Sequence, residues 1–480
     1  MSELLSRIAA DSHLLLPEII LVVGATVVLF GAFFARQNVR IIGVLTLLTL
    51  VLAFAALFRL PLGETGFFDL YRSDGFALLF KAIFAFAGIL TVLIGSDYLK
   101  ERNHEPAEFF ALMLYSICGM FLMASANDLL TIFVSLELMA ISVYVMVGYF
   151  KANTKSNEAS FKYFILGAFS SGFFIFGASL IYGATGTSRI DLLVTQMPLL
   201  NSGMGVFATV GALFLLVALA FKVALFPFHM WAPDAYEGAP TPVTAFMSIA
   251  PKAAAFAIFL RIFAYAFGGI RYDWVPVLSV IALLTMIWGN FAAIRQENIK
   301  RMLAYSSIAH AGYLSLGIIA GTTMAIQATA LYFVAYAFMN IGAFAIVIIL
   351  SRKDGYGENV DDFSGLANTH PVLAAIMLVF MLSLAGIPPT IGFFGKFYLF
   401  GAAIDSGLYL LVTVALLTSA VSLYYYFRVV KVMYLNDLEA ERRVTLTWNE
   451  KIAVAVTVLG TLAVGIYPTP LLDFIKATFS

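Results

Sequence analysis

Apolar runs of about 20 residues, the length a helix needs to cross a bilayer, recur along the whole chain between short polar links. They predict spans near 14–35, 40–58, 75–96, 108–124, 129–150, 159–184, 205–227, 240–267, 274–294, 299–320, 326–350, 371–403, 408–433 and 451–468, fourteen in all. The charged link from Met433 to Trp448 exceeds an ordinary turn and is expected to form a helix on the membrane surface. No link is long enough to fold as a soluble domain, so residues 1–480 are expected to form a single transmembrane domain. Two runs are interrupted. The seventh breaks at FPFHMWAP, with Lys222 just before Pro227, and the twelfth breaks at SLAGIPPTIGFFGKF, with Lys396 just after Pro389. The breaks lie five spans apart, an odd number, so repeats containing them face opposite ways. Paired interrupted helices of this kind point to an inverted-repeat transporter with its sites at the repeat interface.

Charge sets the orientation. Of the 28 basic residues, sixteen fall in links after odd-numbered spans and six in the even-numbered links and termini. The remaining six (Lys81, Lys162, Lys222, Lys252, Arg261 and Lys396) fall inside spans. The positive-inside rule then places the odd links in the cytoplasm and both termini outside. The first run is too long for a signal peptide and has no clear cleavage site, so it is expected to be retained.

Composition narrows the class further. Hydrophobic residues make up 62% of the 480 and charged residues only 12%, about half of what a soluble surface of this size requires. The chain is an all-helical polytopic membrane protein. The single cysteine, Cys118, excludes a disulfide and iron–sulfur ligation by this chain alone. No Walker A, dinucleotide or zinc signature is present. Only His229 and His310 lie deep enough for haem, too few for a cytochrome b core.

Ionisable groups in the membrane are costly, at least about 2.5–3.5 kcal/mol each on insertion scales, and their presence points to charge movement. Glu137 lies near the middle of its span, roughly 13 Å deep at 1.5 Å per residue. A carboxylate at that depth opposite a lysine shares a labile protonation equilibrium with it. Lys222 and Lys252 are candidate relay groups, and Lys396 is a third. His310, among Ser306, Ser307 and Tyr313, is a candidate proton-wire element. For His229 a cavity-lining role and a packing role weigh equally, as do snorkelling and function for Lys81 and Lys162 and loop capping and function for Asp234 and Glu237. Tyr424, Tyr425 and Tyr426 read best as an interfacial aromatic belt, and Glu18 and Asp128 as span-end residues without a role in transport.

The stretches FKVALFPFHMWAPDAYEGAPTPVTAFMSIAPKAAAF, IKRMLAYSSIAHAGY, AGIPPTIGFFGKFYLF and SLYYYFRVV closely resemble the antiporter-like, proton-translocating subunits of bacterial NADH-quinone oxidoreductase (complex I), the subunit N family in particular. The resemblance covers essentially the whole chain. It implies fourteen helices with two inverted five-helix repeats, spans 4–8 and 9–13, and broken helices 7 and 12. It also implies that Glu137, Lys222, Lys252 and Lys396 carry protons, and that Lys162, His229 and Tyr425 line a polar axis, to which the proton-wire candidate His310 is added. Lysine at 396 sets the chain apart from the sister subunit M, which carries glutamate there, and the end at Ser480 leaves no room for the lateral helix of subunit L. The resemblance implies no cofactor on this chain; NADH, FMN, iron–sulfur clusters and quinone belong to partner subunits. Expected partners are other membrane-arm subunits of complex I, including a sister antiporter-like subunit and small membrane subunits, and the lipid bilayer, with no nucleic acid. The expected location is the bacterial cytoplasmic (inner) membrane. Rival readings are a cation/proton antiporter subunit and a structural scaffold of the membrane arm.

Overall fold

A computed structural model of the protein describes residues 2–35, 38–200, 202–351, 357–437 and 445–479. Thirteen helices among the described residues are long and apolar enough to cross a membrane. Spans 1–6 are Leu16–Ala35, Val39–Leu57, Gly75–Glu101, Pro106–Ser125, Leu129–Val147 and Thr154–Thr185. Span 7, Ser202–Lys222, stops at the predicted break and is followed by a short helix, Trp231–Gly238, here 7b. Span 8 runs from Thr241 to Phe259 and continues as a π-helical turn, Leu260–Ala266. Spans 9–11 are Arg271–Ile294, Ile299–Ala320 and Thr323–Ser351. Span 12 is two half-helices, Pro371–Ala385 and Ile391–Asp405, each too short to cross alone, and it brings the total to fourteen. Spans 13 and 14 are Tyr409–Leu435 and Trp448–Ile466. Of the link expected to form a surface helix, residues 438–444 lie outside the described residues. The links also hold a two-stranded hairpin, Glu64–Gly66 with Tyr71–Ser73, which hydropathy alone did not predict.

The inverted repeat is written into the backbone at a constant offset of 170 residues. Asp128 at the start of span 5 bridges Arg189 after span 6, and Asn298 at the start of span 10 bridges Asn359 after span 11. The flanking bonds match as well. Leu129 N–H donates to Ser188 O and Ile190 N–H to Asn127 O, while Ile299 N–H donates to Glu358 O and Val360 N–H to Glu297 O. Asp128 caps span 5 through the N–H groups of Leu130 and Thr131, and Asn298 caps span 10 through that of Arg301, each satisfying otherwise orphaned donors. Gly119 and Gly289 repeat the match in packing. A Cβ on Gly119 would lie 2.7 Å from Met139 N, and one on Gly289 would lie 2.7 Å from Ala309 N. Only glycine lets spans 4 and 9 approach spans 5 and 10 this closely.

Both breaks contain a cis bond to proline, Phe226–Pro227 and Pro388–Pro389. Freed backbone groups inside a membrane must find partners within the protein, and here they do. Phe226 N–H donates to Thr285 Oγ1 of span 9, and Gly392 N–H donates to Ser383 Oγ. Gly386, at a φ of 87°, ends the first half of span 12 in the left-handed region that favours glycine. Span 8 runs through the centre of the bundle: every residue from Thr241 to Phe259 is buried, whereas span 6 turns Phe161, Phe164 and Phe169 outward.

A buried line of lysines, hydroxyls and a histidine

The first cluster joins spans 5, 6 and 7. Glu137 accepts a hydrogen bond from Ser171, and Lys222 Nζ lies 4.0 Å from Glu137 Oε1. Lys222 also donates to the hydroxyl of Tyr144 at 3.2 Å. Tyr144 is seven residues beyond Glu137 and so sits on the same helical face. Lys222 occupies the last turn of span 7, where the helix dipole favours a cation. At 4 Å and an effective dielectric of 20, such a pair attracts by about 4 kcal/mol before desolvation is counted.

An aromatic wall separates this cluster from the next. Tyr144 meets the Tyr163 ring edge-on at 4.6 Å, Tyr163 stacks on Trp231 at 4.2 Å, and Trp231 lies 6.5 Å from Tyr236. The Tyr236 ring in turn lies 5.5 Å from Lys252 Nζ. Trp231 and Tyr236 both belong to 7b, so the break in span 7 places a short helix between two buried lysines. Among the described residues no hydrogen bond links the Lys222 cluster to that of Lys252.

Lys252 donates to Ser307 Oγ of span 10, and Ser307 occupies the position that the 170-residue offset assigns to Glu137. Among the described residues neither Lys252 nor Lys396 has a carboxylate within ion-pairing distance. The Tyr236 and Tyr336 hydroxyls lie beside Ser307 without a well-formed hydrogen bond. Next to Ser307, Ser306 shares a 2.5 Å hydrogen bond with the Tyr426 hydroxyl. Tyr426 also lies 3.2 Å from His310 Nε2, and Tyr332 lies 2.6 Å from His310 Nδ1. A neutral imidazole donates from one nitrogen and accepts at the other, so His310 joins two hydroxyls in one wire. Beyond it the Tyr313 hydroxyl accepts from Asn290 at 2.9 Å, and Asn290 accepts from Tyr425 at 3.1 Å. Lys396 Nζ lies 5.5 Å from the Tyr313 ring. It donates to Leu384 O and Ala385 O at the end of the first half of span 12, and to Ser419 Oγ at 2.8 Å.

Several expected residues sit elsewhere. Lys162 is not on the buried line. Its side chain is 44% exposed and pairs with Glu158 and with Asp234 of 7b, because its position in span 6 faces outward past the Tyr163 stack. Arg301 binds Asp234 and Glu237 from the other side. Lys155, Glu158, Lys162, Asp234 and Glu237 line a cavity of about 160 Å³ at one end of 7b. His229 is buried but packed among rings, 5.5 Å from Phe226 and 6.1 Å from Trp288, with Nδ1 unpartnered. The interfacial-belt reading of the three tyrosines fails for two of them. Tyr425 and Tyr426 are buried and only Tyr424 is exposed, because span 13 turns one face into the bundle. Thr418, Ser422, Tyr425 and Tyr426 share that face at helical spacing, a polar stripe visible in the sequence. Lys81 does not snorkel: it forms a buried ion pair with Glu18 at 2.7 Å. Among the described residues no group of three His, Cys, Asp or Glu is placed to hold a metal.

A fourteen-span bundle with two broken helices and a buried line of lysines defines an antiporter-like membrane subunit. The chain belongs to the family described as "NADH:quinone oxidoreductase/Mrp antiporter, TM", which matches residues 126–422. Within it, the chain is similar to NADH-quinone oxidoreductase subunit N of Trichlorobacter lovleyi, with 44% identity over 96% of both chains. Among solved structures it resembles a chain of respiratory complex I from Thermus thermophilus with bound aureothin. That match has 35% identity, covers 95% of this chain and 99% of the other, and has a TM-score of 0.81. It also resembles a chain of the membrane-bound sulfane sulfur reductase, an archaeal respiratory membrane complex, at 27% identity over 98% and 97% of the two chains, with a TM-score of 0.84.

Proposed function

We propose that this chain is a proton-translocating membrane subunit of a bacterial NADH-quinone oxidoreductase, driven by quinone reduction in partner subunits. The observation that carries the reading is the buried line itself. Lys222, Lys252–Ser307, the Ser306–Tyr426–His310–Tyr332 wire and Lys396 lie inside the bundle, on helices of both repeats, and Glu137, its side chain 26% exposed, closes the line at the edge of span 5. Ser307 can accept from an ammonium or donate to a neutral amine, so it serves Lys252 in either protonation state. The Tyr236 and Tyr336 hydroxyls beside it need partners that water supplies.

In this mechanism Glu137 holds the Lys222 proton until a change in a neighbouring subunit draws the pair apart. Losing about 4 kcal/mol of attraction at an effective dielectric of 20 favours loss of the proton. Helix 7b then decides whether that proton passes the Tyr163–Trp231–Tyr236 wall to Lys252. From there Ser307, Ser306, Tyr426 and His310 lead toward Tyr313 and Lys396, the exit-side group. Lys162, Arg301, Asp234 and Glu237 act one step removed by fixing 7b. NADH, FMN, iron–sulfur clusters and quinone are assigned to partner subunits, and the partners are membrane-arm subunits that include a sister antiporter-like chain. The location is the inner membrane, with both termini outside and residues 1–480 acting as one domain.

Affinity purification of the tagged chain, with reconstitution of what comes with it, tests the assignment. The reading expects the other subunits of an NADH-quinone oxidoreductase and proton uptake that requires NADH and quinone. Ion uptake by the chain without redox partners would point to an antiporter instead.

A further inference from the structure

A second set of buried charges lies off this line, on spans 1 and 3 and the hairpin between spans 2 and 3. Lys81 Nζ donates to Glu18 Oε1 at 2.7 Å and to the Tyr71 hydroxyl at 2.6 Å. Tyr71 in turn lies 2.9 Å from the same Glu18 oxygen. All three residues are buried, at 3% exposure for Glu18, 1% for Lys81 and 4% for Tyr71. Glu18 Oε2 is buried with no partner at all. A pair that served only to hold two helices together would be expected to satisfy that oxygen, since an unmet buried acceptor is costly. Immediately beside it, Asp74 caps span 3 and takes a two-pronged grip from Arg261 at 2.7 and 3.0 Å. Arg261 belongs to the π-helical turn that ends span 8, nine residues beyond Lys252 and so about 13 Å further along the same helix. The π-turn is an irregularity often found at functional sites. The cluster gathers the starts of spans 1 and 3 and the ends of spans 4 and 8, all on the side of the N-terminus.

We propose that Glu18 and Lys81 form a second proton-holding site, on the outer side of the chain, with Tyr71 as its bridging hydroxyl and Arg261–Asp74 as its electrostatic link to span 8. This rests on the proton-translocating reading above. In the resting pair Lys81 is an ammonium and Glu18 a carboxylate. Transfer of one proton across the 2.7 Å bond leaves a neutral amine and a carboxylic acid. The new proton sits on Oε1. A half-turn of the carboxyl group about its Cγ–Cδ bond exchanges the two oxygens and brings the O–H to the unpartnered position, from which water on the outer side accepts that proton. The amine then takes up a proton from water on its inner side, which restores the pair and moves one proton outward.

The test uses the whole complex in proteoliposomes, reading protons translocated per NADH oxidised. The double variant Glu18→Gln/Lys81→Met removes both charges and leaves neither unpaired, so it separates a staple from a relay. We expect it to assemble and reduce quinone as the parent does while its proton-to-electron ratio falls. An unchanged ratio overturns the proposal. If the double variant fails to assemble, Tyr71→Phe decides: a slowed proton release supports the site, and parental pumping overturns it. Lys252→Met, measured in parallel, keeps the two readings apart. If only the Lys252 variant loses pumping, the main line stands and this site falls. If neither does, both fall.

Discussion

At the scale of single residues, the proposed path depends on its hydroxyls. Tyr426 bridges Ser306 and His310, and Tyr426→Phe removes that bridge without opening a void. We expect a stability loss of about 1–3 kcal/mol from the stranded partners, unchanged electron transfer in uncoupled membranes and a slower proton flux, read as the rate of membrane-potential build-up. A parental rate would remove Tyr426 from the wire. The sequence announces the lysines and Glu137, because an ionisable group within an apolar run has few benign explanations. It is silent about their partners. Taken one at a time, tyrosines in an apolar helix read best as interfacial, and it is the polar stripe with Thr418 and Ser422 at helical spacing that separates Tyr425 and Tyr426 from Tyr424. The Glu18–Lys81 pair joins residues 63 positions apart, a separation that no local spacing encodes. Lys162 shows the converse limit: its depth along span 6 is legible, but the direction it faces is set by the packing of Tyr163 on Trp231.

At the scale of elements, the two breaks and the two repeats carry the architecture. The proline clusters mark both breaks in the sequence, whereas the 170-residue offset emerges from backbone pairing, with the Gly119 and Gly289 match recognisable only once that pairing is known. Its clearest test lies in Gly119 and Gly289. Replacing either with alanine pushes a methyl group to within 2.7 Å of a neighbouring backbone nitrogen, and overpacking of this kind costs typically 1–3 kcal/mol. Each variant should lower the amount of assembled complex on a native gel, and to a similar degree; a loss confined to one of them would show that the repeats pack differently. Helix 7b offers a second test. Its salt bridges to Lys162 and Arg301 are partly exposed, and pairs of that kind contribute about 0–1 kcal/mol each. Asp234→Ala should therefore leave assembly near parental while the coupling of pumping to electron transfer weakens, because 7b carries the wall between Lys222 and Lys252. Parental coupling in that variant would mean that 7b is held by packing alone.

At the scale of the whole molecule, the distribution of basic residues is what supports the proposed orientation. If the termini lie outside, as proposed, the hairpin at Thr65 faces outward and the link at Ala152 faces the cytoplasm. In intact cells a membrane-impermeant maleimide should label Thr65→Cys and spare Ala152→Cys, with the native Cys118 buried and silent; inverted vesicles should give the opposite result. The central claim is that protons cross inside this chain through buried lysines. The most direct measurement is the number of protons translocated per NADH oxidised by the reconstituted complex carrying Lys252→Met. The account predicts an assembled, quinone-reducing complex that moves fewer protons per electron than the parent. An unaltered ratio at full assembly would contradict it and leave the chain a scaffold.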